Sequence, residues 1–313
     1  MQGNGASDLD MVLSFGVSPD FRADGTCFAA RATGLYRSID RGETWQSSYT
    51  SLDIAPPTVA VALSPGFASD RVVIAGVAGG ILRSHDGGLT WSAVSLGAPS
   101  PLVSILVLSP SFSTDGTMLA GTAEDGVLRS TDHGASWKPA NIGLLDMNVL
   151  AVARSPVFAS DSIAFAGTES GLFRSTNGGR HWRDIDFPVG LGPVVSLALS
   201  PRFAQDRTIY AGTGSAGLVR STDGGTTWTG PGQDQLAGEV SAILMGDDVL
   251  DQSPLIALHD GQVAVSLDGG ETWSDHPSDV PDGEPITAIA ATDPAAPASS
   301  LLVGLANGAV RAW

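Results

Sequence analysis

The chain has 313 residues, of which 42% are hydrophobic and only 16% charged, a composition typical of a packed globular protein and not of a disordered one. Its formal net charge of −17 disfavours nucleic acid and anionic membrane surfaces as partners, because both attract basic proteins. No apolar run approaches the roughly 18 residues of a membrane-spanning helix, and Cys27 has no second cysteine with which to form a disulfide.

From about residue 11 onward the chain repeats a unit of 45 or 46 residues, and the fifth copy shows its predicted elements most clearly. An apolar run rich in β-formers ends at Pro201, because proline has no N–H for further strand pairing. A turn with Phe203 and Asp206 follows, and no helical period occurs anywhere in the unit. The four short strands predicted for this copy cover 194–199, 208–212, 217–221 and the residues from 227 onward.

Four antiparallel strands in each repeat are typical of a β-propeller blade, and seven units fit the length of the chain. The sequence therefore predicts an all-β protein, a seven-bladed β-propeller of four-stranded antiparallel blades that forms a single domain over residues 1–313. The seventh unit stops before a fourth strand, and residues 1–10 could complete it. The predicted blades cover approximately 11–57, 58–101, 102–147, 148–193, 194–238, 239–284 and 285–313.

The third and fourth strands of the first six units are joined by the motif Ser-x-Asp-x-Gly-x-Thr-Trp, with small variations. Serine and aspartate oxygens stabilise a tight turn by accepting N–H bonds, and tryptophan can bury a large area against a neighbouring sheet. A residue that recurs in six units cannot mark one pocket, so we interpret these positions as structural. The turn residue and the tryptophan are Asp40 and Trp45, Asp86 and Trp91, Asp132 and Trp137, Asn177 and Trp182, Asp223 and Trp228, and Asp268 and Trp273.

These six motifs resemble the Asp-box, or BNR, repeats of sialidases, xyloglucanases, sortilin-type receptors and photosystem II assembly-factor-like proteins. The resemblance implies the propeller fold and a structural box that lies away from any active site. It does not fix an activity, because the family includes both enzymes and binding proteins. A second recurring pattern, Ser-Pro-x-Phe-x-x-Asp in the first five units, is most similar to bacterial assembly-factor-like propellers.

A sialidase-like site would need three arginines that hold a carboxylate and a tyrosine nucleophile. Tyr36 and Tyr210 align with core positions of other units, and Tyr49 is expected on an outer strand. The arginines before the box serine recur in six units, so surface ion pairing is their expected role. They are Arg37, Arg83, Arg129, Arg174, Arg220 and Arg311.

A glycoside hydrolase of the sialidase or xyloglucanase type, with a carboxylate pair at the channel mouth, remains an alternative, because 33 acidic residues offer many pairs. Against it, only 6% of residues are aromatic, and the spacing of the boxes leaves no room for long cleft-forming insertions. The histidines lie in turns or loops without ligand spacing. The sequence therefore predicts no catalytic, cofactor-binding or metal-binding residue.

Functional residues of a repeat protein are expected where one copy departs from the others. Arg154 replaces an aliphatic residue at the end of a first strand, where it either reflects sequence drift or anchors an anion or a partner. The other variable positions occupy the loops between second and third strands, opposite the boxes. These candidate partner-binding residues are Arg31, Glu124, Asp125, Glu169, His259 and Asp260.

The favoured function is a non-catalytic scaffold that binds another protein without a cofactor; a carbohydrate ligand stays open. The first residues lack the basic and apolar segments of a secretion signal. For the sequence as written we expect a cytoplasmic protein, or a secreted or periplasmic one if a signal was removed.

Overall fold

Seven antiparallel sheets follow one another along the chain in a computed structural model, which confirms the predicted all-β seven-bladed propeller. The structure describes residues 10–97, 100–188, 190–230, 232, 234–246, 254–276, 280 and 284–313. Each sheet is one blade, numbered one to seven in chain order, and each blade pairs its strands in sequence order.

The blades share one strand pattern, from a long inner strand to a short outer one. Blades one to three contain β1 (Val12–Val17), β2 (Cys27–Arg31), β3 (Gly34–Ser38) and β4 (Gln46–Ser47); β5 (Thr58–Leu63), β6 (Val73–Val77), β7 (Gly80–Ser84) and β8 (Ser92–Val94); and β9 (Leu102–Leu108), β10 (Met118–Ala123), β11 (Val127–Ser130) and β12 (Lys138–Pro139). Blades four and five contain β13 (Val149–Arg154), β14 (Ala164–Thr168), β15 (Leu172–Ser175) and β16 (Arg183–Asp184); and β17 (Val194–Leu199), β18 (Ile209–Thr213) and β19 (Leu218–Ser221). Blades six and seven contain β20 (Val240–Met245), β21 (Leu255–His259), β22 (Gln262–Ser266) and β23 (Ser274–Asp275); and β24 (Ile286–Ala291), β25 (Leu301–Leu305) and β26 (Val310–Ala312).

Five sheets have four strands, and two have three among the described residues. In blade five the predicted fourth strand is reduced to a single bridge between Arg220 and Thr229. Blade seven has no fourth strand in the described part of the chain. Of residues 1–10, which could supply it, residues 1–9 lie outside the described residues, so that prediction stays open.

The ring closes between blade seven and blade one through the same contacts that join consecutive blades. The Thr287 hydroxyl of β24 donates to the backbone oxygen of Val12 in β1 at 2.7 Å. At the seam between blades five and six, the Ser196 hydroxyl donates to the oxygen of Val240 at 2.6 Å. Inner strands also contact their neighbours all around the ring. The first and last blades are therefore packed together like any other pair.

A one-turn helix joins the first and second strands of blades one to five, where the sequence predicts only a turn. Its phenylalanine is buried, and its aspartate accepts hydrogen bonds from residues on both sides of the helix. In blade one, Asp24 accepts from the Ser18 hydroxyl at 2.7 Å and from the N–H of Thr26 at 2.8 Å. The helices are α1 (Phe21–Asp24), α2 (Phe67–Asp70), α3 (Phe112–Asp115), α4 (Phe158–Asp161) and α5 (Phe203–Asp206), and blade seven has a 3-10 turn at Pro297–Ser299 instead.

This topology gives the ring two different faces. The box face carries α1–α5 and the boxes. The variable-loop face carries the turns between second and third strands and the connections between blades; its turns are 31–34, 77–80, 123–127, 168–172, 213–218, 259–262 and 305–310.

Candidate functional site

The box aspartates are engaged by their own turns. Asp40 accepts from the Ser38 hydroxyl at 2.7 Å and from both the N–H and the hydroxyl of Thr44. The Thr44 hydroxyl bond and then its N–H bond lower the pKa of Asp40 to about 2. The boxes around Asp86, Asp132, Asp223 and Asp268 have the same bonds. These carboxylates are ionised acceptors and poorly suited to donate or take up a proton near neutral pH.

The box tryptophans pack on the preceding blade. Trp91 is buried in a cluster with Phe28 and Leu35 of blade one, and Trp182 in a cluster with Leu119 of blade three. The indole N–H of Trp91 donates to the oxygen of Ser48 at 2.9 Å, and that of Trp182 to the oxygen of Ala140 at 2.8 Å. These two indole N–H groups therefore join neighbouring sheets, whereas those of Trp45, Trp137 and Trp273 donate to glycine oxygens of their own boxes.

We expected the repeated arginines to form surface ion pairs, but most of the hydrogen bonds that they make go to backbone oxygens of the next blade. Arg129 Nε donates to the oxygen of Gly178 at 2.8 Å, and Arg174 and Arg220 reach the matching box glycines of the next blades. Of this set, Arg220 also pairs with a carboxylate, that of Glu271 at 2.8 Å. The box glycines have left-handed backbones that direct their carbonyl groups to the seam, where a guanidinium can reach them.

Two of the three tyrosines are buried and therefore cannot serve as an accessible nucleophile of the sialidase kind. Tyr210 is buried, and its hydroxyl donates to the oxygen of Gly269 at 2.9 Å. Tyr49, expected on an outer strand, is buried as well; it contacts the Trp91 ring edge-on, and burial raises its pKa. Tyr36 was expected at a core position but is only half-buried. The guanidinium of Arg31 lies over its ring, 4.4 Å from the ring centroid.

Arg154 lies at the box-face end of β13, half-buried between the inner strands of blades three and four. Its Nε donates to the oxygen of Leu108 in β9, and its Nη1 to the oxygen of Ser155 at 3.2 Å. Burial lowers its pKa. Its hydrogen bonds within the described residues thus go to backbone oxygens. Because the other candidates lie on the opposite face, Arg154 does not form one site with them.

Two groups of candidate residues on the variable-loop face contact residues of nearby loops. Arg31 Nη1 lies 3.5 Å from the carboxylate of Asp10 in blade one. In blade six, His259 Nε2 lies 2.5 Å from the oxygen of Ala237 and 3.5 Å from the carboxylate of Asp260. These contacts connect neighbouring loops and leave the two groups on different blades.

The remaining candidates meet where blades three and four adjoin. Exposed Glu169 accepts from the Asn148 amide at 2.7 Å, and exposed Asp125 accepts through its backbone oxygen from the Asn141 amide at 2.9 Å. Asp146 accepts from the N–H of Ser170 at 2.8 Å. Residues 140–148, which connect the two blades, are therefore hydrogen-bonded to the turns on both sides.

This connection exposes apolar side chains that the sequence analysis missed. Ile142 is 65% exposed, Leu145 is 79% exposed and Met147 is 37% exposed. The signal was available, since a connection between blades with this many apolar residues is unusual for a loop. We call Ile142, Leu145, Met147, Glu124, Asp125 and Glu169 the three–four patch.

No group of three metal-ligating side chains occurs within the residues that the structure describes. In the same part of the chain, no helix is both long and apolar enough to cross a membrane.

The class defined by this geometry is a seven-bladed β-propeller, and solved structures support it. No family model matches the sequence, and neither does any curated protein. The chain is similar to a GH74 enzyme of Niastella koreensis (TM-score 0.74, 19% identity, 96% of this chain) and to the extracellular domain of BT4673 from B. thetaiotaomicron (0.71, 16%, 98%). It covers only 52% and 38% of those two proteins.

A third similar structure matches over nearly its whole length. YCF48 from Cyanidioschyzon merolae has a TM-score of 0.69 at 15% identity, with 97% of this chain and 95% of that one covered. A structure of YCF48 bound to D1 peptide has a TM-score of 0.66 at 15% identity. At these identities the likeness establishes the fold alone.

Proposed function

We propose that this propeller is a non-catalytic scaffold that binds a protein partner through the three–four patch. The observation that carries the proposal is a set of three exposed apolar side chains on one hydrogen-bonded connection, accompanied by exposed acids of the adjoining turns. Exposed apolar groups rimmed by polar residues are typical of protein interaction sites. Because the connection is held by both blades, binding would cost little conformational entropy.

The repeated residues support a binding role over a catalytic one. The box carboxylates are held by turn hydrogen bonds, and the repeated arginines span seams between blades. These groups therefore have structural partners and are not gathered in one pocket. The likeness to YCF48 bound to D1 peptide is consistent with a peptide-binding ring.

We also infer that the chain is an Asp-box propeller of the bacterial assembly-factor-like kind, since its boxes have the serine–aspartate bonding that the resemblance implies. A glycoside hydrolase remains the alternative because of the GH74 neighbour. The cytoplasmic location stays a prediction, and a neighbour that is an extracellular domain makes a location outside the cell equally worth testing.

Affinity capture from native lysate, with mass spectrometry, tests the scaffold. The double variant Leu145→Ser with Met147→Ser should lose a partner that the wild type retains. Ile54→Ser is the matched control, because Ile54 is 82% exposed on the connection between blades one and two. Equal capture by all three proteins would contradict the proposal. Hydrolysis of xyloglucan or a sialyl substrate, abolished by changing one rim carboxylate, would favour the alternative.

A further inference from the structure

A groove of about 490 Å³ runs between the boxes of blades three and four. This volume lies within the roughly 300–1,000 Å³ of ligand-binding clefts. Three cationic side chains line the groove, namely Arg129, Lys138 and Arg180, together with the apolar Ile142. Lys138 is the only lysine of the chain. A protein with a net charge of −17 thus concentrates three of its 16 Lys and Arg residues at one place.

No carboxylate of the described residues forms an ion pair with these three cations. Arg129 uses Nε to bind the oxygen of Gly178, and Arg180 Nη1 lies 3.4 Å from the oxygen of Asn177. Burial and then the charge of Arg180 lower the pKa of Arg129. Asp132 also lines the groove, but its oxygens accept from the N–H and hydroxyl of Ser136. The lining therefore carries a net charge of +2 from three cations and one anion.

Box four, whose Arg180 lines the groove, departs from its repeats at two positions. Asn177 stands where the other five boxes have aspartate, and it still accepts from the Ser175 hydroxyl at 3.0 Å and the N–H of His181 at 2.9 Å. The turn is thus preserved while its negative charge is absent. Arg180 occupies the position that is Glu43 in box one and Glu271 in box six.

We propose that this groove binds the carboxylate side chains of an acidic peptide segment. Arginine and lysine donate charge-assisted bonds to carboxylates, and the adjoining Ile142 can contact an apolar residue of the same segment. The lining has no aromatic ring on which a sugar could stack. Ile142 also belongs to the three–four patch, so the choice of a peptide ligand, and only that choice, rests on the proposed function.

Calorimetric titration at low ionic strength with the peptide acetyl-Glu-Leu-Glu-amide tests this site. Wild-type protein should bind it more tightly than the acetyl-Gln-Leu-Gln-amide analogue, and added salt should weaken the binding. The double variant Lys138→Ala with Arg180→Ala should weaken binding by about tenfold, since exposed charge-assisted contacts each contribute a few-fold. Arg41→Ala is the control, because Arg41 is an exposed cation in the box of blade one.

Asn177→Asp gives an independent test that does not remove a contact. It restores the box carboxylate of the other blades, so it should preserve the melting temperature while it weakens peptide binding several-fold through repulsion. Unchanged affinity in both the double variant and Asn177→Asp would overturn the proposal. Tighter binding of a galacturonate oligomer than of the peptide would overturn the assignment to a peptide.

The peptide titration and the affinity capture together separate the groove from the proposed scaffold surface. Leu145→Ser with Met147→Ser should abolish partner capture and leave the peptide affinity unchanged if the groove binds acids by itself. Loss of capture with retained peptide binding supports both proposals. Retained capture by the Leu145→Ser with Met147→Ser variant, together with peptide binding lost in the groove variants, contradicts the scaffold surface but supports the groove.

Discussion

Trp182 combines burial with a bond to a different sheet, so its contribution should exceed that of a typical surface aromatic. Trp182 is 4% exposed and donates to the oxygen of Ala140 in blade three. We expect Trp182→Ala to lower the free energy of unfolding by about 3–5 kcal/mol. Trp182→Phe should retain much of the packing and lose about 0.5–1.5 kcal/mol for the hydrogen bond. Urea titrations measure both, and unchanged stability in Trp182→Phe would contradict a separate contribution from the indole N–H.

The box carboxylates also predict how stability depends on pH. Hydrogen bonds from the threonine hydroxyl lower the pKa of Asp40 and of Asp268 to about 2, below the value of about 3.9 in an unfolded chain. The stability that they contribute is therefore complete above about pH 5 and is lost as the pH falls towards about 2. Asp40→Asn should make this acid loss shallower, since Asn177 occupies the same position in box four without a charge.

The control for this prediction is Glu43→Gln, an exposed carboxylate of the same box. Denaturant midpoints measured from pH 6 to pH 2 should differ between Asp40→Asn and wild type, but not between Glu43→Gln and wild type. An identical acid slope in all three proteins would show that the turn bonds do not control the titration.

At the scale of strands, glycines allow adjacent blades to approach each other. Gly212 in β18 lies so close to the inner strand of blade six that a Cβ would meet the oxygen of Val240 at 2.3 Å. Gly212→Ala should therefore destabilise the protein by about 1–3 kcal/mol, as overpacking does. In blade one, Ala30 occupies the equivalent register, so Ala30→Gly, expected to cost about 0.5–1 kcal/mol, is the control. Thermal melts that rank the two variants in the opposite order would contradict this packing argument.

The strands and their turns could be predicted because each is a local pattern that recurs along the sequence. Contacts across seams could not, because they depend on the direction in which a side chain leaves its sheet. Arg129 illustrates this: its position suggested an ion pair, yet it binds the oxygen of Gly178, 49 residues further on. The matching contact of Arg220 spans the same 49 residues, so the offset itself is repeated and was present in the sequence. The groove was missed because its cations, such as Lys138 and Arg180, come from different blades, and only the fold brings them together.

At the scale of the whole molecule, closure makes the first and last blades as dependent on each other as any consecutive pair. A Cβ on Gly304 of blade seven would lie 2.5 Å from the Cβ of Val12 in blade one, much as Gly212 meets blade six. We expect Gly304→Ala to destabilise by about 1–3 kcal/mol, similarly to Gly212→Ala, within one cooperative transition. In an open stack, where each unit contacts only its neighbours, the change would loosen the terminal blades alone.

Hydrogen exchange distinguishes these two cases, because it reports the opening of each blade separately. In a closed ring, the core amides of blade four exchange only when the whole ring opens, so Gly304→Ala should accelerate them as much as those of blade one. Thr287→Val removes the hydroxyl bond to Val12 at the same seam without adding a clash, and it should act in the same direction with a smaller effect. Faster exchange confined to blades one and seven would mean that the seam between them contributes little to the stability of the remaining sheets.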